Sequence, residues 1–220
     1  MAESDFLLTT QASYDAMASE YEERFHDELA AKPLERAMLA AFAELVPATA
    51  GGPVADVGCG AGHVTAHMHS LGLSAFGIDL SPQMVALARR VHPELRFEEG
   101  SMTALDLPDE TLGGIVAMYS IIHIPPARLP DVFAEFHRVL VPGGHVLLVF
   151  QVGDDHVRRT EAFGQRVSLD CYWRPLERIA ELLGQAGFIE VARLLREPDE
   201  TEKLQRGCLL ARKPAGVIGS

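Results

Sequence analysis

From residue 34 onward the apolar positions alternate between short continuous runs and helical stripes. Leu34, Met38, Ala41, Phe42 and Leu45 share one face of a helix over 34–46. The more polar stretch before it, 10–31, predicts another helix, with aromatics at Tyr14, Tyr21 and Phe25. Gly51-Gly52-Pro53 breaks the chain. Residues 54–57 then predict a short strand ending in glycines, and Val64, Met68 and Leu71 a helix that Gly72 can stop. A second strand follows over 74–79. Ser81 is suited to cap the next helix, with Pro82 in its first turn and Met84, Leu87, Ala88 and Val91 on its buried face. Residues 95–98, 114–119 and 145–150 predict three more strands. Between the last two lies a helix with Leu129, Val132, Phe133, Phe136 and Leu140 on one side, and Pro142-Gly143-Gly144 reads as a turn. A polar stretch (151–173), a helix (176–186), a strand (188–196), a last strand around 208–212 and a frayed tail complete the pattern.

This alternation implies a parallel sheet with helices on both faces. A chain of 220 residues with 48% hydrophobic and 23% charged residues suits one globular domain. No apolar run reaches the ~20 residues of a membrane span, and the opening lacks the features of a secretion signal, so the expectation is a cytoplasmic protein with no membrane partner. Cys59, Cys171 and Cys208 form no C-x-x-C pair, which argues against a structural zinc or disulfides. The net charge is −12, concentrated at the start, where residues 1–48 hold ten Asp and Glu against Arg24, Lys32 and Arg36. Such a surface repels phosphate backbones, so no nucleic-acid partner is expected.

The most informative residues run from Val54 to Val64, VADVGCGAGHV. A strand enters a loop with glycines at 58, 60 and 62, and a helix begins there. The glycines allow close backbone approach and positive φ, while the helix start offers free N–H donors. A dinucleotide fingerprint, G-x-G-x-x-G, would need a small residue at position 63, where His63 stands. The observed spacing is G-x-G-x-G with Asp56 two residues upstream. A carboxylate there is poorly placed for a pyrophosphate and well placed for a cation such as the methionyl ammonium of S-adenosylmethionine (SAM). No G-K-[ST] follows, which excludes a P-loop. Asp79 ends the second strand, 23 residues after Asp56, the interval that sets a carboxylate over a ribose.

With these residues the chain resembles the class I SAM-dependent methyltransferases, specifically the small, metal-independent bacterial ones. The resemblance rests on D-V-G-C-G-A-G at 56–62, G-I-D-L-S-P-Q-M at 77–84, E-G-S-M at 99–102 and L-x-P-G-G at 140–144, within about 10–212. It implies an α/β, Rossmann-like sandwich: a seven-stranded, mostly parallel sheet of order 3-2-1-4-5-7-6 with helices on both faces. It implies one methyltransferase domain over 1–220, with cap helices (1–48), a SAM-binding core (53–152), an acceptor-pocket segment (153–173), a C-terminal helix and antiparallel strand pair (174–212) and a tail (213–220). Carried over by position, Asp56, Gly58 and Gly60 line the methionine moiety and Asp79 binds the ribose. Leu80 and Met84 pack on the adenine, with Ser101 and Met102 at its edge. Ser101 departs from the acid that many relatives have there. Met118 and Tyr119 face the sulfonium, and the run from Tyr14 to Tyr21 resembles the helix that caps the cofactor.

Methyl transfer from a sulfonium leaves the protein to position the acceptor and, where needed, take its proton. His123, just after the fourth strand, is the expected base, since an ordinary imidazole titrates near ~6.5. No metal is expected. His63, His67 and His69 lack a completing ligand, and Asp154 and Asp155 resemble only part of the site of the magnesium-dependent catechol O-methyltransferases, since Met118-Tyr119-Ser120 supplies no acid. Arg166 and Trp173 are the candidate acceptor contacts, Arg166 for an anionic group. The expected activity is transfer of a methyl group from SAM, leaving S-adenosylhomocysteine (SAH), to an O or N atom of a small molecule by a monomer or homodimer. The alternatives are an NAD-type oxidoreductase, for which no catalytic Tyr/Lys pair is evident, and a SAM- or SAH-binding protein that does not methylate.

Overall fold

The computed structural model describes residues 3–25 and 27–216; the last four residues of the expected tail, 217–220, lie outside them. The strands that position the site are β1 (Val54–Val57), β2 (Ala75–Asp79), β3 (Phe97–Glu99), β4 (Leu112–Met118) and β5 (Leu140–Gln151). All pair in parallel, because each crossover returns the chain to the same edge through a helix or loop. The β8 (Ile189–Arg196) and β9 (Arg206–Arg212) strands close the sheet, with β9 antiparallel to both β5 and β8. The order is β3-β2-β1-β4-β5-β9-β8. With the separate hairpin described below left out of the count, this is the expected 3-2-1-4-5-7-6.

The central strands are apolar throughout because both their faces are covered. Leu39, Phe42 and Val46 of α2 (Pro33–Thr49) and Met68 of α3 (His63–Ser70) fill one face. Phe133 and Phe136 of α5 (Leu129–Val139) and Ile179 and Leu183 of α6 (Leu176–Gln185) fill the other. β5 begins already at Leu140, and Pro142-Gly143-Gly144 loops out within it: the pairing with β4 passes from Leu112–Leu140 to Gly114–His145, and Gly143 has a φ of +86°. Lys213, expected in the tail, is buried, and its ammonium donates to the carbonyls of Leu140 and His137.

Two further departures shape the site. The first helix, α1, spans Glu3–Phe25 rather than 10–31, so about two turns of extra helix precede Thr10. The chain then makes a short 3-10 turn, Leu29–Ala31, because Pro33 starts a new helix. The stretch 151–173, read as polar, contains a two-stranded hairpin, β6 (His156–Ala162) and β7 (Gln165–Tyr172). Its turn residues Phe163 and Gly164 both have positive φ, +52° and +75°, the conformation a two-residue hairpin requires. Phe163 tolerates this costly backbone because its ring packs edge-on against Phe25 at 5.7 Å.

The first helix is held between this hairpin and α4 (Pro82–Val91). Ser81 accepts the Met84 N–H at 3.1 Å, as its capping role predicts, and donates to the Asp15 carboxylate at 2.5 Å. On the other side Ser13 accepts the Ser168 N–H at 3.1 Å, and Met17 packs on Leu169 and Cys171.

Behind the site, α2 is tied to the β8–β9 connection by a largely buried ionic network. Arg196 donates to Glu35 at 2.8 Å and to Glu202 at 2.7 Å, and Lys32 donates to Glu202 at 2.7 Å and Asp199 at 2.6 Å. Burial alone would raise the Glu202 carboxyl; the bonds from Arg196 and Lys32 outweigh it and bring the pKa down to about 2. Arg196→Met strands Glu35 (1% exposed) without its cation and should destabilise the fold by ~3–5 kcal/mol in urea unfolding. Arg193→Met, which removes an exposed pair with Glu190, should cost under ~1 kcal/mol. Because the folded Glu202 is the stronger acid, its share of stability should be complete above about pH 4.5 and be lost as pH falls toward 2.

Candidate functional site

The loop after β1 turns through three glycines with φ of +79°, +53° and +88° at 58, 60 and 62. At Gly58 space matters as much as φ. A β carbon there would lie 2.3 Å from the Ser120 Cβ, and Ser120 is held by its hydroxyl donating to the Val57 carbonyl at 2.8 Å. At Gly62 an added carbon would meet the Phe97 ring at 2.7 Å. The backbone is thereby brought to the carboxyl ends of β1, β2 and β4, where open α/β sheets bind their ligands.

A cleft of about 690 Å³, counted to its open mouth, lies over this loop. Gly58, Gly60, Asp79 and Leu80 form its floor, and Ser101 and Met102 stand at one end. Met118 and Tyr119 line it from β4, and Tyr14 and Tyr21 close it from α1. Asp56 lies in the adjoining cleft that passes Gly58 toward Lys32 and Glu35. Met84 does not reach either cleft. It is fully buried beneath α1 against Ala18, Ala61 and Leu87, because α4 turns that face inward. The Ser101 hydroxyl is engaged with the Thr103 hydroxyl at 2.8 Å. The N-terminal extension of α1 beyond the predicted start at residue 10 adds Phe6 and Leu7 to the cleft wall, beside Thr10.

Two buried carboxylates face the glycine loop. Asp79 accepts the Gly60 and Ser81 N–H groups at 2.8 and 2.9 Å, and burial still leaves its carboxyl above the usual range. Asp56 accepts the Thr65 hydroxyl at 2.7 Å, and burial pushes it up to about 7. Among the described residues neither is paired with a lysine or arginine. Two acids held above their ordinary range by desolvation call for a cation, which a pyrophosphate cannot supply. A ligand with a ribose, an ammonium and a sulfonium fits these donors and acceptors, and the glycine cradle leaves room for it.

Tyr119 follows β4 in the left-handed region (φ +54°), strain of ~1–3 kcal/mol that turns the chain into the cleft. Its hydroxyl donates to Glu35 at 3.4 Å. Beyond it His123 is buried and bonded on both ring nitrogens. Nδ1 lies 2.9 Å from the Asp170 carbonyl, which can only accept, so Nδ1 carries the proton and Nε2 is the acceptor. Tyr14 donates its hydroxyl to Nε2 at 2.7 Å. Burial pushes the imidazole down to about 4, far from the near-neutral titration an exposed histidine would show.

Tyr14, Tyr119 and His123 also line a second cleft of about 710 Å³, walled by α1 and the hairpin. Arg166 and Trp173, the expected acceptor contacts, fall outside it. On β7 the odd-numbered Leu169 and Cys171 face inward, so Arg166 points outward, opposite Glu161. Trp173 lies past the end of β7 in a separate surface cleft with Asp154 and Asp155. Arg206 of β9 lines the second cleft, and the hairpin arginine that lines it as well is Arg159, whose register partner is Leu169. Its inward parity with Val157, Leu169 and Cys171 is written in the sequence.

A family model described as a methyltransferase domain matches residues 54–144. The chain is 33% identical over 97 residues to the demethylmenaquinone methyltransferase of Chlorobaculum parvum, an alignment covering 44% of this chain and only 39% of that one. It is 30% identical over 155 residues to the phosphatidylethanolamine N-methyltransferase of Cereibacter sphaeroides, covering 67% and 70% of the two chains. The solved structure of DhpI with SAH superposes with a TM-score of 0.70 at 21% identity, covering 98% of this chain and 100% of that one. With the glycine loop, the paired acids and this likeness in agreement, the chain belongs to the class I SAM-dependent methyltransferases.

Proposed function

We propose that this protein transfers the methyl group of SAM to an oxygen or nitrogen of a small molecule, with the Tyr14–His123 pair receiving the acceptor's proton. The observation that carries this reading is the place of that pair, on the wall shared by the cleft over the glycine loop and the second cleft under the hairpin. SAM supplies a methyl group on a positively charged sulfur, so no protein acid is needed for the leaving group. Asp56 and Asp79 hold the cofactor's cationic and ribose groups. A proton leaving the acceptor passes to the Tyr14 oxygen as the tyrosine's own moves to Nε2 of His123. Nδ1 stays bonded to the Asp170 carbonyl throughout, which fixes the tautomer. A base this weak does not ionise an ordinary alcohol in advance. It suits an acceptor whose proton becomes acidic as the new bond forms, such as an amine or a phenol. The first helix and the hairpin enclose the second cleft, which favours a small acceptor over a macromolecule.

Three measurements test the reading. In calorimetry SAH should bind and NAD should not, and Asp79→Ala should weaken SAH by ~1.5–3 kcal/mol through a lost charge-assisted hydrogen bond. Equal affinity of the variant would remove Asp79 from the site. The affinity for SAH should also fall as pH drops from 8 to 6, because Asp56 takes up a proton near 7 and loses the charge that attracts an ammonium. Asp56→Asn should flatten that dependence; an unchanged slope would place the titrating group elsewhere. With an acceptor in hand, His123→Ala and Tyr14→Phe should each lower kcat by ~10²–10⁴-fold with SAH affinity within twofold. With SAM saturating, the wild-type kcat should fall only as pH drops through about 4. Full activity in Tyr14→Phe would show that the relay does not operate.

A further inference from the structure

The second cleft contains a cation that the relay does not use. Arg159 sits at its mouth on the inward face of β6, and among the described residues no carboxylate is paired with it. Its outward neighbour Arg158 is neutralised by Asp170 at 2.6 Å. Across the cleft, Gln151 and Arg206 are register partners at the ends of β5 and β9. The Gln151 Oε1 and the Arg206 Nε are both buried without a hydrogen-bond partner, which is costly unless something else satisfies them. Arg206 is only partly balanced, with Glu202 at 3.4 Å, and Glu28 is the one carboxylate among the described residues lining this cleft. The remaining wall is apolar and aromatic, with Phe25 and Phe163 in contact with Tyr21 at 4.5 and 6.4 Å.

We propose that the acceptor is a small carboxylic acid with an aromatic or apolar body, its carboxylate held by Arg159 and Arg206 and its methyl-accepting group at Tyr14. The assignment rests on the methyl-transfer reading above and narrows the substrate class of the same site. A carboxylate oxygen accepts from the idle Arg206 Nε–H, and from the Gln151 amide once its oxygen and nitrogen are exchanged, an orientation the heavy atoms alone do not distinguish. The rings of α1 and the hairpin then stack on the body of the acid.

The test uses SAH-loaded protein titrated with 4-hydroxybenzoate, 4-aminobenzoate and octanoate, each beside its neutral amide, and with tyramine. Carboxylates should bind at least tenfold more tightly than their amides. Arg159→Gln and Arg206→Gln should each remove that preference, while Arg166→Gln, on the outer face, should keep it. SAH affinity should stay within twofold in all three. Preference for the amides or for tyramine, absence of binding by every carboxylate at millimolar concentration, or an unaltered preference in both inward variants would overturn the proposal. Failure of the wild-type protein to bind SAH would instead overturn the methyl-transfer reading on which it rests.

Discussion

The turn after β1 is the constraint to which the rest of the site is fitted. Three glycines in the left-handed region carry the backbone from the end of one strand into a helix, and at Gly58 there is no space for a single added carbon beside Ser120. Packing this close commits the N–H groups of Gly58, Cys59, Gly60 and Gly62 to protein acceptors and leaves two acids, Asp56 and Asp79, desolvated at the strand ends. Neither acid has a cation of its own among the described residues. Their high folded pKa values are a standing electrostatic cost, of the kind that active sites retain because a ligand relieves it.

Around this floor the protein builds a lid from its first residues. The first helix contributes Tyr14 and Tyr21 to the cleft and is anchored on both sides by short polar bonds, Asp15 to the start of α4 and Ser13 to β7. The hairpin serves as the lid's other support and as the wall of the second cleft. The Tyr14–His123 bond spans these parts, since His123 follows β4, Tyr14 belongs to α1, and the carbonyl that fixes the tautomer belongs to β7. A change in the seating of the helix or the hairpin therefore acts directly on the hydrogen bonds of the His123 ring. The ionic network of Glu35, Arg196, Glu202 and Lys32 steadies the opposite wall, and through Glu35 it reaches the strained Tyr119.

The parts of the site that were visible in the sequence are those whose chemistry is local. Asp56, the three glycines and Asp79 lie within one strand–loop–helix–strand unit, where spacing alone sets their relation. The hairpin is hidden in the sequence because the arginines and aspartates of 151–173 mask its period of two. Val167, Leu169 and Cys171 carried that signal, and Phe163-Gly164 marked the turn. Had the parity been followed, Arg159 would have been placed inward and Arg166 outward. The full length of α1 is hidden for a related reason. The helix lies across the mouth of the cleft, so its apolar positions Phe6 and Leu7 face a ligand space that a core-facing stripe does not describe.

The sequence by itself determined the alternation of the sheet strands with helices, the left-handed turn and the pair of acids, because backbone sterics and side-chain periodicity act over a few residues. Only the tertiary structure decided the protonation of His123. Its tautomer depends on a carbonyl 47 residues away and its hydrogen-bond donor on a tyrosine 109 residues away, and its low pKa arises from the burial those elements create together. The same holds for the second cleft, whose charged residues Glu28, Arg159 and Arg206 come from the turn after α1, from β6 and from β9, which no local pattern connects. Distant groups meet through packing, and desolvation, which sets their chemistry, exists only once they have met.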